Sequence, residues 1–309
     1  MSLKLNIKQH LSVPSDRVKC IDLLCHPSAE PWMLCALHNG HVLIINYQTQ
    51  QIVEDFEVCA KPVRCAKFIE RKNWIVTGSD DGMIRIYDVK SLAPIHSFKG
   101  HSDFVRSIIV HPELPLLLTC SDDSLIKLWN WDKQWSCDQV FEGHSHYVMQ
   151  IAFNPKDFNT FASASLDKTV KTWQLDSNVA NLTLEGHKKG VNCVNYYHTP
   201  TESFLISGGD DYVVKIWNPK NNSCVQTLGG HSDNVTAVAL HKELPIVFTG
   251  SEDGTFRIWR LDMEKQTHYL ESCIDYGLKR LWTIANHFNN VDLALGFDEG
   301  SIIIKVQQE

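Results

Sequence analysis

Gly100-His101-Ser102-Asp103-Phe104-Val105-Arg106 opens a stretch that runs through Pro115-Leu116-Leu117-Leu118-Thr119 and Ser121-Asp122-Asp123. It ends in Leu125-Ile126-Lys127-Leu128-Trp129. The stretch is one copy of a repeat, and the repeat decides the fold. Gly-His returns at Gly143-His144, Gly186-His187 and Gly230-His231, with the histidines 43, 43 and 44 residues apart. Ser121-Asp122-Asp123 has counterparts in Ser79-Asp80-Asp81, Ser165-Leu166-Asp167, Gly209-Asp210-Asp211 and Ser251-Glu252-Asp253. Six residues after the last aspartate of each group stands an aromatic: Tyr87, Trp129, Trp173, Trp217 and Trp259. Weaker copies flank these, Asn39-Gly40 leading to Ile45 and Asp298-Glu299-Gly300 leading to Ile302-Ile303-Ile304. The period therefore repeats seven times.

Within a copy the pattern is β. Met83-Ile84-Arg85-Ile86-Tyr87 is short, β-branched and aromatic, and an Asp-Gly turn bounds it. The Pro115–Thr119 run reads as a buried strand, and nothing resembles a capped helix of 12 or more residues. Four such strands per copy predict an all-β, seven-bladed β-propeller in one unit spanning residues 1–309. Closing the ring requires a partner for its open edge. Leu3, Leu5 and Ile7 alternate with Lys4, Asn6 and Lys8, so a strand at about residues 3–9 is expected to complete the blade built from residues 280–306.

The register of these motifs resembles the WD-repeat family. There, the resemblance implies, the Gly-His histidine, a strand Ser/Thr, the turn aspartate and the strand Trp form one hydrogen-bonded network per blade. His101, Ser121, Asp123 and Trp129 fit those positions, as do His144, Ser163, Asp167 and Trp173. A His–Asp pair beside a serine looks like a hydrolase triad, but a group that recurs blade after blade is structural.

Composition narrows the function. The formal charge is −7, which disfavours non-specific nucleic-acid binding. No apolar run is long enough to span a bilayer, and the N-terminus lacks a signal-peptide core. Ten cysteines are scattered with no Cys-x-x-Cys pair, which fits reduced cytoplasmic thiols and neither a disulfide framework nor a metal site. No cofactor motif is present.

Function must then lie in positions that do not repeat. By the family's geometry, the start of each innermost strand and the residue before each turn aspartate share one face. The strand starts place Arg17, Lys19, Arg64 and Arg106 in one sector. The pre-turn residues are His38, Asp80, Asp122, Leu166, Asp210, Glu252 and Asp298. A basic sector beside an acidic one suits a C-terminal peptide bearing lysines. The alternative is that these charges pair with one another and are solvated.

Asp16-Arg17-Val18-Lys19, Pro62-Val63-Arg64, Arg71-Lys72-Asn73-Trp74, Trp129-Asn130-Trp131 and Ala152-Phe153-Asn154-Pro155 resemble one subfamily over all seven blades. It is the N-terminal beta-prime-type propellers of coatomer, the COPI vesicle coat. The resemblance implies recognition of dilysine signals (KKxx or KxKxx) on cytosolic tails of membrane-protein cargo, for Golgi-to-ER retrieval. It implies partners in the other coatomer subunits, the alpha subunit in particular, with peripheral membrane association at the Golgi and on coated vesicles, and no nucleic acid. Carried over, Arg17, Lys19 and Arg64 match the positions for the terminal carboxylate. Asp103 and Asp122 match those for the lysine three places before the end, and Asp210 that for a lysine two places further upstream. Asp103 shares its Gly-His-x-Asp context with Asp233, so only the resemblance distinguishes it. His38 departs from the pattern, since some members carry tyrosine there and alpha-type propellers are closer to this chain; it is assigned to the carboxylate. Arg280 shares the face without an assigned role. Coat subunits of this kind continue into a helical solenoid, so a longer protein is expected.

Two other classes compete. A structural scaffold binding coat subunits or ubiquitin-like partners would centre on aromatic anchors, for which Phe104, Tyr147 and Trp282 are available. An enzyme would need a nucleophile and base outside the repeated network; His146 is the one candidate, and no constellation surrounds it.

Overall fold

The computed structural model describes residues 5–24, 30–198, 202–241, 244–262, 265, 267–286 and 292–308. Strands dominate; the helical pieces among these residues are two single 3-10 turns, Glu70–Lys72 and Trp131–Lys133. No helix is long and apolar enough to cross a membrane.

The strands form seven four-stranded antiparallel sheets. Blades one to six take their strands consecutively, from residues 18–57, 63–99, 105–141, 148–185, 191–228 and 235–275. Blade seven joins Leu281–Asn286, Asp292–Phe297 and Gly300–Gln308 to the N-terminal strand Leu5–Pro14. That strand pairs from Leu5 opposite Gln308 to Pro14 opposite Gly300. Closure by the N-terminus is as expected, but the strand runs further than residue 9; Leu3 and Lys4 lie outside the described residues. Each innermost strand packs on the next, and Leu281–Asn286 packs on Val18–Leu23, so the ring is closed.

The core lies between adjacent blades. Leu118, Ile126 and Phe141 of blade three pack with Val148, Phe161 and Trp173 of blade four. A small residue on the second strand of every blade makes room for the neighbour: Ala36, Gly78, Cys120, Ala164, Gly208, Gly250 and Gly296, all buried. A Cβ on Gly78 would lie 2.6 Å from Val105 Cγ1, and one on Gly296 would lie 2.7 Å from Val18 Cγ1. These residues let the apolar side chain that opens the next blade seat against the sheet.

Blades three to six carry the repeated network. His101, His144, His187 and His231 bond Asp123, Asp167, Asp211 and Asp253 through Nδ1 at 2.6–2.9 Å. Their Nε2 atoms meet Thr119, Ser163, Ser207 and Thr249 hydroxyls at 2.7–2.8 Å. Trp129, Trp173, Trp217 and Trp259 donate to those same oxygens at 2.8–2.9 Å. The indole uses a hydroxyl lone pair, so the hydroxyl proton goes to Nε2 and the neutral ring donates from Nδ1.

Ser121 is not part of this network: in blade three the hydroxyl is that of Thr119. The hydroxyl always precedes the Trp by ten residues, because it sits diagonally across the strand pair. Ser121 lies one pleat nearer the turn, where its Oγ accepts the Asp123 amide at 3.1 Å. Blade two has Cys59 where blades three to six have histidine, and Arg85 holds Asp81 at 2.5 Å instead. The described cysteines are free thiols.

Candidate functional site

Every innermost strand begins with a β-bulge. The register shifts at Val18/Cys20, Val63/Cys65, Val105/Ser107, Val148/Gln150, Val191/Cys193, Val235/Ala237 and Leu281/Thr283. The extra residue, left out of the ladder, is Lys19, Arg64, Arg106, Met149, Asn192, Thr236 or Trp282. A bulge re-aims one side chain away from the pleat, and here it does so once per blade at the same end of the ring. The pre-turn residues reach that end too. Their amides bond the carbonyl just before each inner strand: His38 to Arg17, Asp80 to Pro62, Asp122 to Phe104, Leu166 to Tyr147, Asp210 to Gly190, Glu252 to Asn234 and Asp298 to Arg280.

Bulge residue and pre-turn residue face each other, and their pairing sorts the charges. Arg64 grips Asp80 with two bonds of 2.5 and 2.8 Å. Arg106 grips Asp122 with two of 2.6 Å. Asp298 takes Arg17 at 2.6 Å, Arg280 at 2.9 Å and the Trp282 indole at 2.7 Å. In blade five the bulge residue is neutral, so Asp210 accepts only an amide, Asn192 Nδ2 at 2.7 Å. Glu252 has Asn234 at 3.0 Å and Arg280 at 3.5 Å. Blade four presents Met149 and Leu166, an apolar divider.

Blade one breaks the rule. Its bulge residue is a cation, Lys19, but its pre-turn residue is His38 rather than an acid. Among the described residues no carboxylate pairs with Lys19; its Nζ lies 3.1 Å from the centroid of the Trp282 ring. Arg17 and Arg280 lie over that ring as well, at 5.4 and 5.1 Å. Burial, then the charges of Arg64, Arg17 and Arg106, pull the Lys19 ammonium down to about 6. Burial, then the charges of Arg17, Lys19 and Arg64, lower His38 too, and its buried Nδ1 has no hydrogen-bond partner.

Phe104 lies between Arg64 and Arg106, 5.3 and 5.6 Å from their guanidinium carbons, and Tyr147 is 6.0 Å from that of Arg106. The three aromatics noted as candidate anchors are thus tied up with cations. Asp103 uses Oδ1 to accept the Phe104 amide at 2.8 Å and, like Asp210, has no cationic partner among the described residues. Asp122 differs: its carboxylate is held bidentately with 3% of the side chain exposed. It belongs to the framework of blade three. His146 accepts the Tyr147 amide and meets the Tyr147 ring edge-on, which is no catalytic arrangement. No three metal-binding side chains converge among the described residues.

Two features escaped the sequence. Thr119 was legible from the constant offset of ten before each Trp. The seat that Trp282 provides for Lys19 was not, because the two residues stand near opposite ends of the chain.

A closed ring of seven bulged sheets, with a His–Ser/Thr–Trp–Asp network in its central blades, defines a WD-repeat propeller. Residues 51–88, 92–130, 135–174, 179–218 and 222–260 match the WD40 family (WD domain, G-beta repeat), and the chain belongs to that family. Over all 309 residues it is 63% identical to coatomer subunit beta' of Drosophila melanogaster. It is 57% identical to that of Homo sapiens and 56% to that of Rattus norvegicus. The chain spans 33% of the length of each of these relatives.

Proposed function

We propose that this propeller is the cargo-reading part of a COPI coat subunit, and that its bulge face binds lysine-bearing C-terminal peptides. The carrying observation is the separation of unpaired ionisable groups on one face. Among the described residues Lys19 pairs with no anion although guanidiniums crowd it, while Asp103 and Asp210 pair with no cation elsewhere on the same face. A C-terminal dilysine tail has the complementary arrangement. Its carboxylate meets Lys19, with Arg17, Arg64 and His38 beside it, and its lysines meet Asp103 and Asp210. Asp122 contributes through the Arg106 pair, which fixes the floor between the two sectors. Similarity to coatomer subunit beta' along the whole chain supports the coat setting. On this reading the partners are dilysine tails of membrane-protein cargo and other coat subunits, at Golgi membranes and vesicles. The face has the makings of a binding surface and not of an active centre.

The test is a titration with an acetylated peptide ending in Lys-x-Lys-x-x. The free acid is expected to bind with a Kd of about 1 μM, or about −8 kcal/mol. Its C-terminal amide is expected to bind at least about tenfold more weakly, since the anion is lost. Equal affinity for the two would remove the carboxylate from the mechanism.

A further inference from the structure

Four carboxylates on this face already have partners. Asp80 is held by Arg64, Asp122 by Arg106, Asp298 by Arg17 and Arg280, and Glu252 by Asn234 and Arg280. Facing Lys19 are Arg17 and His38 from its own blade, Arg64 from blade two, Arg106 from blade three, Glu252 from blade six and Trp282 from blade seven, with Asp16 acting on His38. The Trp282 ring beneath Nζ offers a quadrupole, which is weaker compensation than a carboxylate. An ammonium here faces three guanidiniums against the one opposing charge of Glu252, which is shared with Arg280.

We propose that Lys19 stands unprotonated in the free protein at neutral pH, and that its amine lone pair takes a proton from solvent as a ligand carboxylate enters, so that carboxylate and proton are captured together. The inference rests on the carboxylate-binding reading above. The lowering of Lys19 to about 6, by burial and then by the three arginines, agrees with the geometry. A bound carboxylate reverses the local balance of charge and raises the amine again. The complex then holds one proton more than its components at neutral pH. By linkage, binding is tightest below the free amine's titration and weakens as pH rises through the window above it. Trp282 is the positioning residue, and its own place is fixed by the indole bond to Asp298.

The experiment is calorimetry on the full chain with the acetylated free-acid peptide at pH 6.5, 7.2 and 8.0, at constant ionic strength. Each titration is run in phosphate and in Tris, whose heats of ionisation differ. The peptide's own groups do not titrate in this range. The expected result is uptake of about one proton per peptide above pH 7, with Kd rising more than about tenfold from pH 6.5 to 8.0. Lys19→Arg keeps its charge throughout and is expected to bind with a pH-independent Kd. A wild-type Kd flat with pH, with no buffer-dependent heat, would overturn the proposal without any variant. A Lys19→Arg protein that retains the slope would also overturn it, by assigning the proton to another group. Failure of the free acid to bind better than the amide at every pH would be different, because it removes the carboxylate reading itself.

Discussion

At the scale of single residues, neighbours one position apart have opposite jobs. Asp122 closes a two-bond clamp on Arg106, while Asp123 accepts from His101, Ser102 and Leu125. Asp122→Ala strands a half-buried guanidinium, and we expect a loss of about 2 kcal/mol, below the full penalty for a buried pair because Arg106 keeps some solvent. Asp123→Ala removes three acceptor contacts and should cost more. Asp210→Asn is the cleaner probe of binding. Among the described residues its side chain is held by one amide, so stability should move by no more than about 0.5 kcal/mol while the lysine peptide weakens by about tenfold. A large drop in Tm for Asp210→Asn would contradict this division of roles. The network register is checked by Thr119→Val against Ser121→Ala. The first leaves two buried groups, His101 Nε2 and Trp129 Nε1, unpaired and should cost about 2 kcal/mol or more, the second about 1 kcal/mol. Melts in the reverse order would put the register back at Ser121.

At the scale of elements, the closing strand and the small residues between blades carry the ring. Strand Leu5–Pro14 supplies the outer ladder of blade seven, and without it Gly300–Gln308 becomes an open edge. Deleting residues 1–14 should lower Tm by more than about 5 °C and promote aggregation; an unchanged melt would show that the ring holds without its clasp. Gly296→Val would push a side chain into Val18 of blade one. Overpacking of this kind costs about 1–3 kcal/mol, and it should also weaken peptide binding, because Val18 leads directly into Lys19. A destabilised Gly296→Val protein that binds peptide with wild-type affinity would show that the bulge is insulated from the blade interface.

At the scale of the whole molecule, titration and salt are the readouts. Burial lowers His101 and His231, and it lowers His268 to about 4. Their folded values lie below the ordinary histidine value, so their contribution is complete above about pH 6.5 and is lost as pH falls below it. The aspartates add a second stage. Burial alone would raise Asp253, but the Thr255 hydroxyl, the Ser232 and Thr255 amides and His231 outweigh it and hold it at about 2. Its contribution is present above about pH 4 and fades as pH falls through 2. Tm should therefore decline gently from pH 7 to 4.5 and steeply below 4; a flat profile down to pH 4.5 would mean that His101, His231 and His268 accept protons without cost. Binding on an open charged face is screened over about 8 Å at physiological ionic strength. Affinity for the lysine peptide should fall about tenfold or more between 50 and 500 mM salt, and salt-independent binding would favour an apolar scaffold interface.

The period of Gly-His, acidic turn and strand aromatic determined the number of blades, the place of each acidic turn and the histidine, aspartate and tryptophan of the network, although the blade-three hydroxyl is Thr119 and not Ser121. These are local facts, because blades one to six are each folded from consecutive residues and their ladders link strands close in sequence. The sites of the cations and acids on one face were legible for the same reason: Arg64–Asp80 and Arg106–Asp122 each span 16 residues within one repeat. Which charges remain unsatisfied was decided only by the closed ring. Arg17 reaches Asp298 across 281 residues, and Trp282 comes beneath Lys19 from the last blade. That juxtaposition depends on the first and seventh blades meeting, and a linear repeat has no term for a contact between its ends. The sequence determined that blade one carries a cation opposite a histidine. The tertiary structure decided that this lysine has an indole and three guanidiniums for company.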